Sequence, residues 1–299
     1  MPMFKRLHAV NQWPLWLAML PLILTVFIAY LGTGLWSLWI SFTNSRTFPS
    51  GDFVGLAQYE RLFDNERWML SMQNLALYGI LFMGFCMLIG FFLAILIDQK
   101  VRMEGLFRTI FLYPYAMSFI ATGLAWQWAL NPSFGIQQSV NQLGFENFRF
   151  DWIVDQDMVI YTLVIASVWQ ASGLVMALML AGLRGVDEEI WKAARIDGIP
   201  TWRVYVAIVI PAIYPTLATV VVLLLTAVVK LFDVVVAMTQ GGPGTASEVP
   251  AKFIMDHLFG RANIGLASAG AVVLLATVVG LAAPFVYLRS RHAKREGRS

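Results

Sequence analysis

EEIWKAARIDGIPTWRVYVAIVIP, Glu188–Pro211, places a short charged segment directly before an apolar one. Its first half is written for a helix. Asp187, Glu188 and Glu189 suit the positive end of a helix dipole, and Ala193-Ala194 are strong helix formers. Gly198 supplies a left-handed stop, and Pro200 prevents simple continuation. The pattern predicts a helix over about 187–198 lying outside hydrocarbon, with Trp191 and Ile190 or Ala194 able to fill a groove in a partner. By helix chemistry alone, an amphipathic helix resting on a bilayer surface explains it equally well.

The surroundings of this stretch fix the class. The 299 residues are 59% hydrophobic and only 13% charged, about half the charge of an ordinary soluble domain. Six intervals lack Asp, Glu, Lys and Arg: 7–45, 68–97, 109–145, 158–183, 204–229 and 262–288. Each accommodates the roughly 20 apolar residues that cross a bilayer as a helix. The expected cores are Trp16–Phe42, Asn74–Ile97, Ile110–Leu130, Val159–Leu183, Ile208–Ala237 and Gly265–Leu288. A backbone in lipid must satisfy its own polar groups, so the fold class is all-α, polytopic, with six transmembrane helices. The first apolar stretch is too long for a signal-peptide core and is read as an uncleaved span.

Basic residues orient the chain. Fourteen lie on one side: Lys5, Arg6, Lys100, Arg102, Arg108, Arg184, Lys192, Arg195, Arg203, Arg289, Arg291, Lys294, Arg295 and Arg298. Six lie on the other: Arg46, Arg61, Arg67, Arg149, Lys252 and Arg261. The positive-inside rule makes both termini and the 187–198 loop cytoplasmic.

Several signals resemble one family. Ala193-Ala194, three residues, Gly198, nine residues and then Ile208-Val209-Ile210-Pro211 match the cytoplasmic coupling loop of ATP-binding-cassette importer permeases, whose pattern opens Glu-Ala-Ala. Lys192 stands where that family usually has Glu. MTQGGPG (Met238–Gly244), LYPYAMSF (Leu112–Phe119) and NPSFG (Asn131–Gly135) resemble the maltose-type carbohydrate branch, nearest to permeases for glucose/mannose or α-glucosides. The resemblance runs from about residue 70 to the end. It implies an N-terminal segment with a first span (1–69), a five-helix permease core (70–288) and a basic cytoplasmic tail (289–299).

The resemblance also implies a mechanism, partners and sites. The chain would be half of a pore completed by a second, homologous permease in a bacterial inner membrane. Two cytoplasmic ATPase subunits would grip the loop, and a periplasmic or lipid-anchored sugar-binding protein would dock outside. Coupling would rest on Glu188, Glu189, Trp191, Lys192, Ala193, Ala194, Asp197, Gly198 and Pro211. Aligned on the family, Tyr115, Ser167 and Gln170 fall at sugar-contact positions of the third and fourth spans. Ser167 and Gln170, three residues apart, share a helix face. The fifth-span contact positions carry Val228 and Leu231, so the sugar cannot be copied from maltose. Lys230 and Asp233 form a further i, i+3 pair, read either as an ion pair packing the bundle or as pathway residues.

Other chemistry finds little support. There is no G-x-x-x-x-G-K-[ST] phosphate loop, so ATP and magnesium would be bound by the partner ATPases and no cofactor by this chain. The single Cys86 and the scattered His8, His257 and His292 offer no metal motif, and no catalytic constellation appears. A net charge of +3 gives no reason to expect nucleic acid; lipid is the expected surroundings. Two alternatives stay open. One is an importer permease for a non-sugar solute. The other is an ion-coupled secondary transporter, for which Lys230 and Asp233 are the best argument.

Overall fold

A computed structural model describes residues 13–99 and 101–296. Lys5, Arg6, Lys100 and Arg298 of the charge count, and the extreme ends of the expected N-terminal segment and tail, lie outside these residues. Regular structure among the described residues is helical, with one isolated bridge between Thr43 and Phe53. The main helices are α1 (Trp16–Ile40), α2 (Glu66–Asp98), α3 (Glu104–Ala116), α4 (Phe119–Ala129), α5 (Val159–Arg184), α6 (Glu188–Ile196), α7 (Tyr214–Val229), α8 (Asp233–Met238) and α9 (Ile264–Glu296). α1, α2, α5 and the Ile264–Leu281 part of α9 are each long and apolar enough to cross a membrane. Two bent pairs raise the number of candidate spans from four to six.

The centre of the bundle is the pair α2 and α5. Leu75, Tyr78, Phe82 and Cys86 recur at helical spacing on α2 and are buried against Leu163, Met176, Met179 and Leu180 of α5. Lipid tails are as apolar as these side chains, so the pair is held by close packing rather than by escape from water. α2 begins earlier than its apolar stretch because Asn65 caps it, its Oδ1 accepting from the amides of Arg67 at 3.0 Å and Trp68 at 3.3 Å. α1 is exposed along most of its length, and Ile40 at its end is buried. The loop after α1 is tied to the start of α9, where the Gly265 amide donates to the Ser45 carbonyl at 2.8 Å. Gln58 Nε2 secures the same loop through the Thr43 carbonyl at 3.0 Å.

Two expected spans are not continuous. The 110–130 core is two helices, α3 and α4, meeting at 98°. Met117 and Ser118 are extended, with ψ near 149° for both, and the Ser118 hydroxyl accepts from the Ala121 amide at 3.1 Å to start a new helix. The 208–237 core breaks twice. Thr201–Ala212 meets α7 at 74° around Ile213, between Pro211 and Pro215, neither of which has an amide hydrogen to extend the ladder. A turn over residues 230–232 then separates α7 from α8.

Candidate functional site

α6 forms as the sequence expects, and its ends explain why. The Asp187 side chain accepts from the Glu189 amide at 3.0 Å, an N-cap. At the other end the Gly198 amide donates to Arg195 O at 3.3 Å and the Ile199 amide to Ala194 O at 3.0 Å. Gly198 sits at φ +66°. This is a Schellman stop, with Ile199 packing back toward Ala194. A Cβ at Gly198 would meet no atom of this chain within 4 Å, so within the chain it is the backbone angle that favours glycine.

The faces of α6 correct one expectation. Ala194 is buried and Trp191 half-buried, both turned toward the bundle. Trp191 stands edge-on to Tyr205 at 5.3 Å, and Tyr205 edge-on to Phe91 of α2 at 6.3 Å. The apolar side chains left for a partner are instead Ile196, 85% exposed, and Trp202, 64% exposed. Lys192 is exposed and pairs loosely with Glu188 one turn back, at 3.7 Å. Glu189, Ala193 and Asp197 are also exposed, so α6 presents a mixed, largely charged outer face.

A cleft of about 680 Å³ opens beside α6, lined by Asp98, Arg184, Trp191, Lys192, Arg195 and Tyr205. Arg184, the last residue of α5, reaches Glu104 at 2.9 Å and Asp98 at 3.5 Å. It thereby ties the ends of α5 and α2 to the start of α3, three residues before the N-cap of α6. The sequence offered Arg184 only as one charge among many. Pro211 lies in the kinked segment that follows α6.

At the opposite end, the segment containing Gly241 and Gly244, both at positive φ, is anchored by a buried polar cluster. Ser247 Oγ donates to Gly242 O at 2.6 Å. Asn74 Nδ2 donates to the carbonyls of Ala246 and Glu248, each at 2.9 Å. Glu248 is buried and accepts from Arg67 Nε at 2.8 Å. Asp256 receives Lys252 at 2.6 Å and Arg67 at 3.4 Å. His257 is buried alongside, its Nδ1 3.0 Å from the Phe253 carbonyl, and burial pushes its pKa below the ordinary value. Sequence reading missed this cluster because its members come from segments about 180 residues apart.

The expected pathway residues do not share one environment. Tyr115 is 46% exposed just before the break between α3 and α4. Ser167 and Gln170, expected to line a cavity, are 6% and 2% exposed inside the bundle. The Gln170 amide donates to the Met117 carbonyl at 2.9 Å. Ser167 lies beside Tyr78 of α2. Lys230 and Asp233 are exposed and form no ion pair with each other; the turn at 230–232 replaces the single helix on which their i, i+3 spacing depended. Val228 and Leu231 are buried. No group of three or more metal-ligating side chains occurs among the described residues.

Residues 87–292 match the family described as "Binding-protein-dependent transport system inner membrane component". A probable ABC transporter permease protein of Pyrococcus horikoshii is 38% identical, the alignment covering 91% of this chain and 94% of that protein. The xylose/arabinose import permease protein XacH of Haloferax volcanii is 28% identical over 90% of this chain and 85% of its own. The fold is also similar to a chain in the crystal structure of a bacterial ABC transporter involved in the import of alginate. The TM-score there is 0.79 at 19% identity, covering 94% of this chain and 96% of that one.

Proposed function

Because the chain belongs to the family of binding-protein-dependent transport system inner membrane components, multi-pass and non-catalytic permeases of ABC importers, we propose that it is one permease of an ATP-driven sugar importer. It forms half of a translocation pore with a second, homologous permease, and two ATPase subunits that bind ATP and magnesium sit on the side of α6. A periplasmic or lipid-anchored sugar-binding protein docks at the opposite end, near the Gly241–Gly244 segment. Both termini are cytoplasmic.

One observation carries this reading. α6 is a capped helix outside the spans, with its exposed apolar residue, Ile196, pointing away from the bundle and its half-buried Trp191 linked edge-on through Tyr205 to Phe91 of α2. A subunit gripping one face therefore moves the other. ATPase closure shifts α6, the shift reaches α2, and the pore opens to the opposite side; the two arrangements differ at both faces, as coupling requires. The sugar class is supported by the likeness to a xylose/arabinose import permease. Tyr115, Lys230 and Asp233 are the exposed groups offered to the pathway, while Ser167 and Gln170 are buried.

Reconstitution of the full complex in proteoliposomes tests this. ATP-dependent, vanadate-sensitive uptake of at least one of glucose, mannose, maltose, trehalose or xylose is expected. Uptake driven by an ion gradient without ATP, or ATP-driven uptake of non-sugar solutes alone, contradicts it. For orientation, single cysteines at Ile196 and Phe259, both exposed, should label from opposite sides in a Cys86→Ser background; labelling of both from one side overturns the topology.

A further inference from the structure

We infer that Gln170 is a positioning residue that holds the break between α3 and α4 in its transport-competent shape, rather than a group that touches the solute. The inference rests on the reading of the chain as a permease.

The break leaves backbone groups without helical partners on the side of α3 and α4 that meets α5. Met117 is the first extended residue after α3, and its carbonyl has no later helical amide to accept from. A carbonyl freed by a break in a helix needs another donor. Gln170 supplies the donor: its Nε2 lies 2.9 Å from Met117 O, and the side chain is 2% exposed. Ser118 then caps α4 by accepting from the Ala121 amide at 3.1 Å. The two ends of the break are thus satisfied separately, one by its own sequence and one by α5.

A second contact shows that α5 serves as the template for this stretch. One turn from Gln170 lies Gly173, where a Cβ would overlap the carbonyl oxygen of Phe111 in α3. Gly173 lets the backbone of α3 lie against α5, and Gln170 catches the chain where α3 ends. Tyr115, two residues before Met117, is consequently projected outward at 46% exposure. The remaining side-chain atom, Gln170 Oε1, is buried without a hydrogen-bond partner. The amide donor is the part in use.

This arrangement separates positioning from contact. A solute contact would alter the KM of some sugars and leave the backbone undisturbed. A positioning residue changes the backbone at the break and lowers maximal uptake of every solute alike.

The test uses the complete complex in nanodiscs and proteoliposomes, with Gln170→Leu, of similar size but unable to donate, and Gln170→Glu. The buried carboxyl of the second variant stays protonated and still offers a donor to Met117. Hydrogen exchange of residues 115–121 is read beside KM and maximal uptake across the sugar panel. Loss of a hydrogen bond to a buried group corresponds to about 5- to 150-fold in an opening equilibrium. Gln170→Leu should accelerate exchange at the break on that scale and reduce maximal uptake by one common factor for every sugar, while Gln170→Glu stays near wild type in both. Unchanged exchange in Gln170→Leu overturns the inference, as does accelerated exchange with unaltered uptake, or a KM change confined to particular sugars. If the wild-type complex imports a different solute, the sugar assignment fails by itself, and the same comparison made with that solute still decides the role of Gln170.

Discussion

Trp191 of α6 stands edge-on to Tyr205, their ring centroids 5.3 Å apart at 67°, and Tyr205 in turn stands edge-on to Phe91 of α2, which links α6 to the bundle. An aromatic pair in this geometry is worth about 0.5–1.5 kcal/mol beyond its buried area. Trp191→Ala should leave the complex assembled, because Trp191 faces inward, yet lower the sugar imported per ATP hydrolysed. Uptake and phosphate release measured together check this; an unchanged ratio removes the Trp191–Tyr205 route from the mechanism.

The surface available to the ATPase centres on Ile196, 85% exposed. Burying an isoleucine in a partner groove contributes about 1.5–3 kcal/mol, or roughly 10- to 150-fold in affinity. Ile196→Asp should reduce co-purification of the ATPase by a factor in that range, with Ile196→Leu close to wild type. Binding assays in detergent against immobilised permease measure it, and equal recovery of ATPase by both variants argues that Ile196 lies outside the interface.

At the opposite end, His257 gives a pH dependence whose sign is fixed. Its folded-state pKa is lowered, first by burial and further by Arg261 and Arg67, with the Phe253 carbonyl and Glu248 opposing. The neutral ring therefore stabilises the fold above its unfolded value of about 6.5, and that contribution is lost as pH falls below 6.5 toward the folded value. Hydrogen exchange of residues 253–260 should quicken on acidification from pH 7.5 to 5.5. In His257→Gln the acid-induced change should shrink. An equal pH response in both chains would show that His257 is not its source.

Much of this was legible in the sequence where the determinants are local. Acids, alanines and Gly198 encode α6 within a dozen residues, and the absence of charge marks the spans. The breaks were not seen because hydropathy reports which residues tolerate lipid and is blind to backbone continuity. Their signals were present in Ser118, which can cap a helix, and in Pro211 and Pro215, which cannot extend one. The spacing of Ser167 and Gln170 put them on one face of α5 without saying that this face meets α3 and α2. The Arg184 bridge to Asp98 and Glu104 and the Arg67–Glu248 pair depend on how distant segments meet, which one sequence does not carry.

The central claim is that the bend after α6 transmits ATPase closure to the pore. Gly198 occupies φ +66° with open space around it within this chain, so Asn and Val, side chains of similar bulk, separate the demand on the backbone from the demand on space. A left-handed conformation costs an ordinary residue about 1–2 kcal/mol and a β-branched one more, while Asn tolerates it. The decisive measurement is ATP-dependent sugar uptake by proteoliposomes containing equal amounts of wild-type, Gly198→Asn and Gly198→Val complexes. The account predicts near-normal uptake for Gly198→Asn and none above background for Gly198→Val, with both variants inserted in the membrane. Wild-type uptake by Gly198→Val would contradict it.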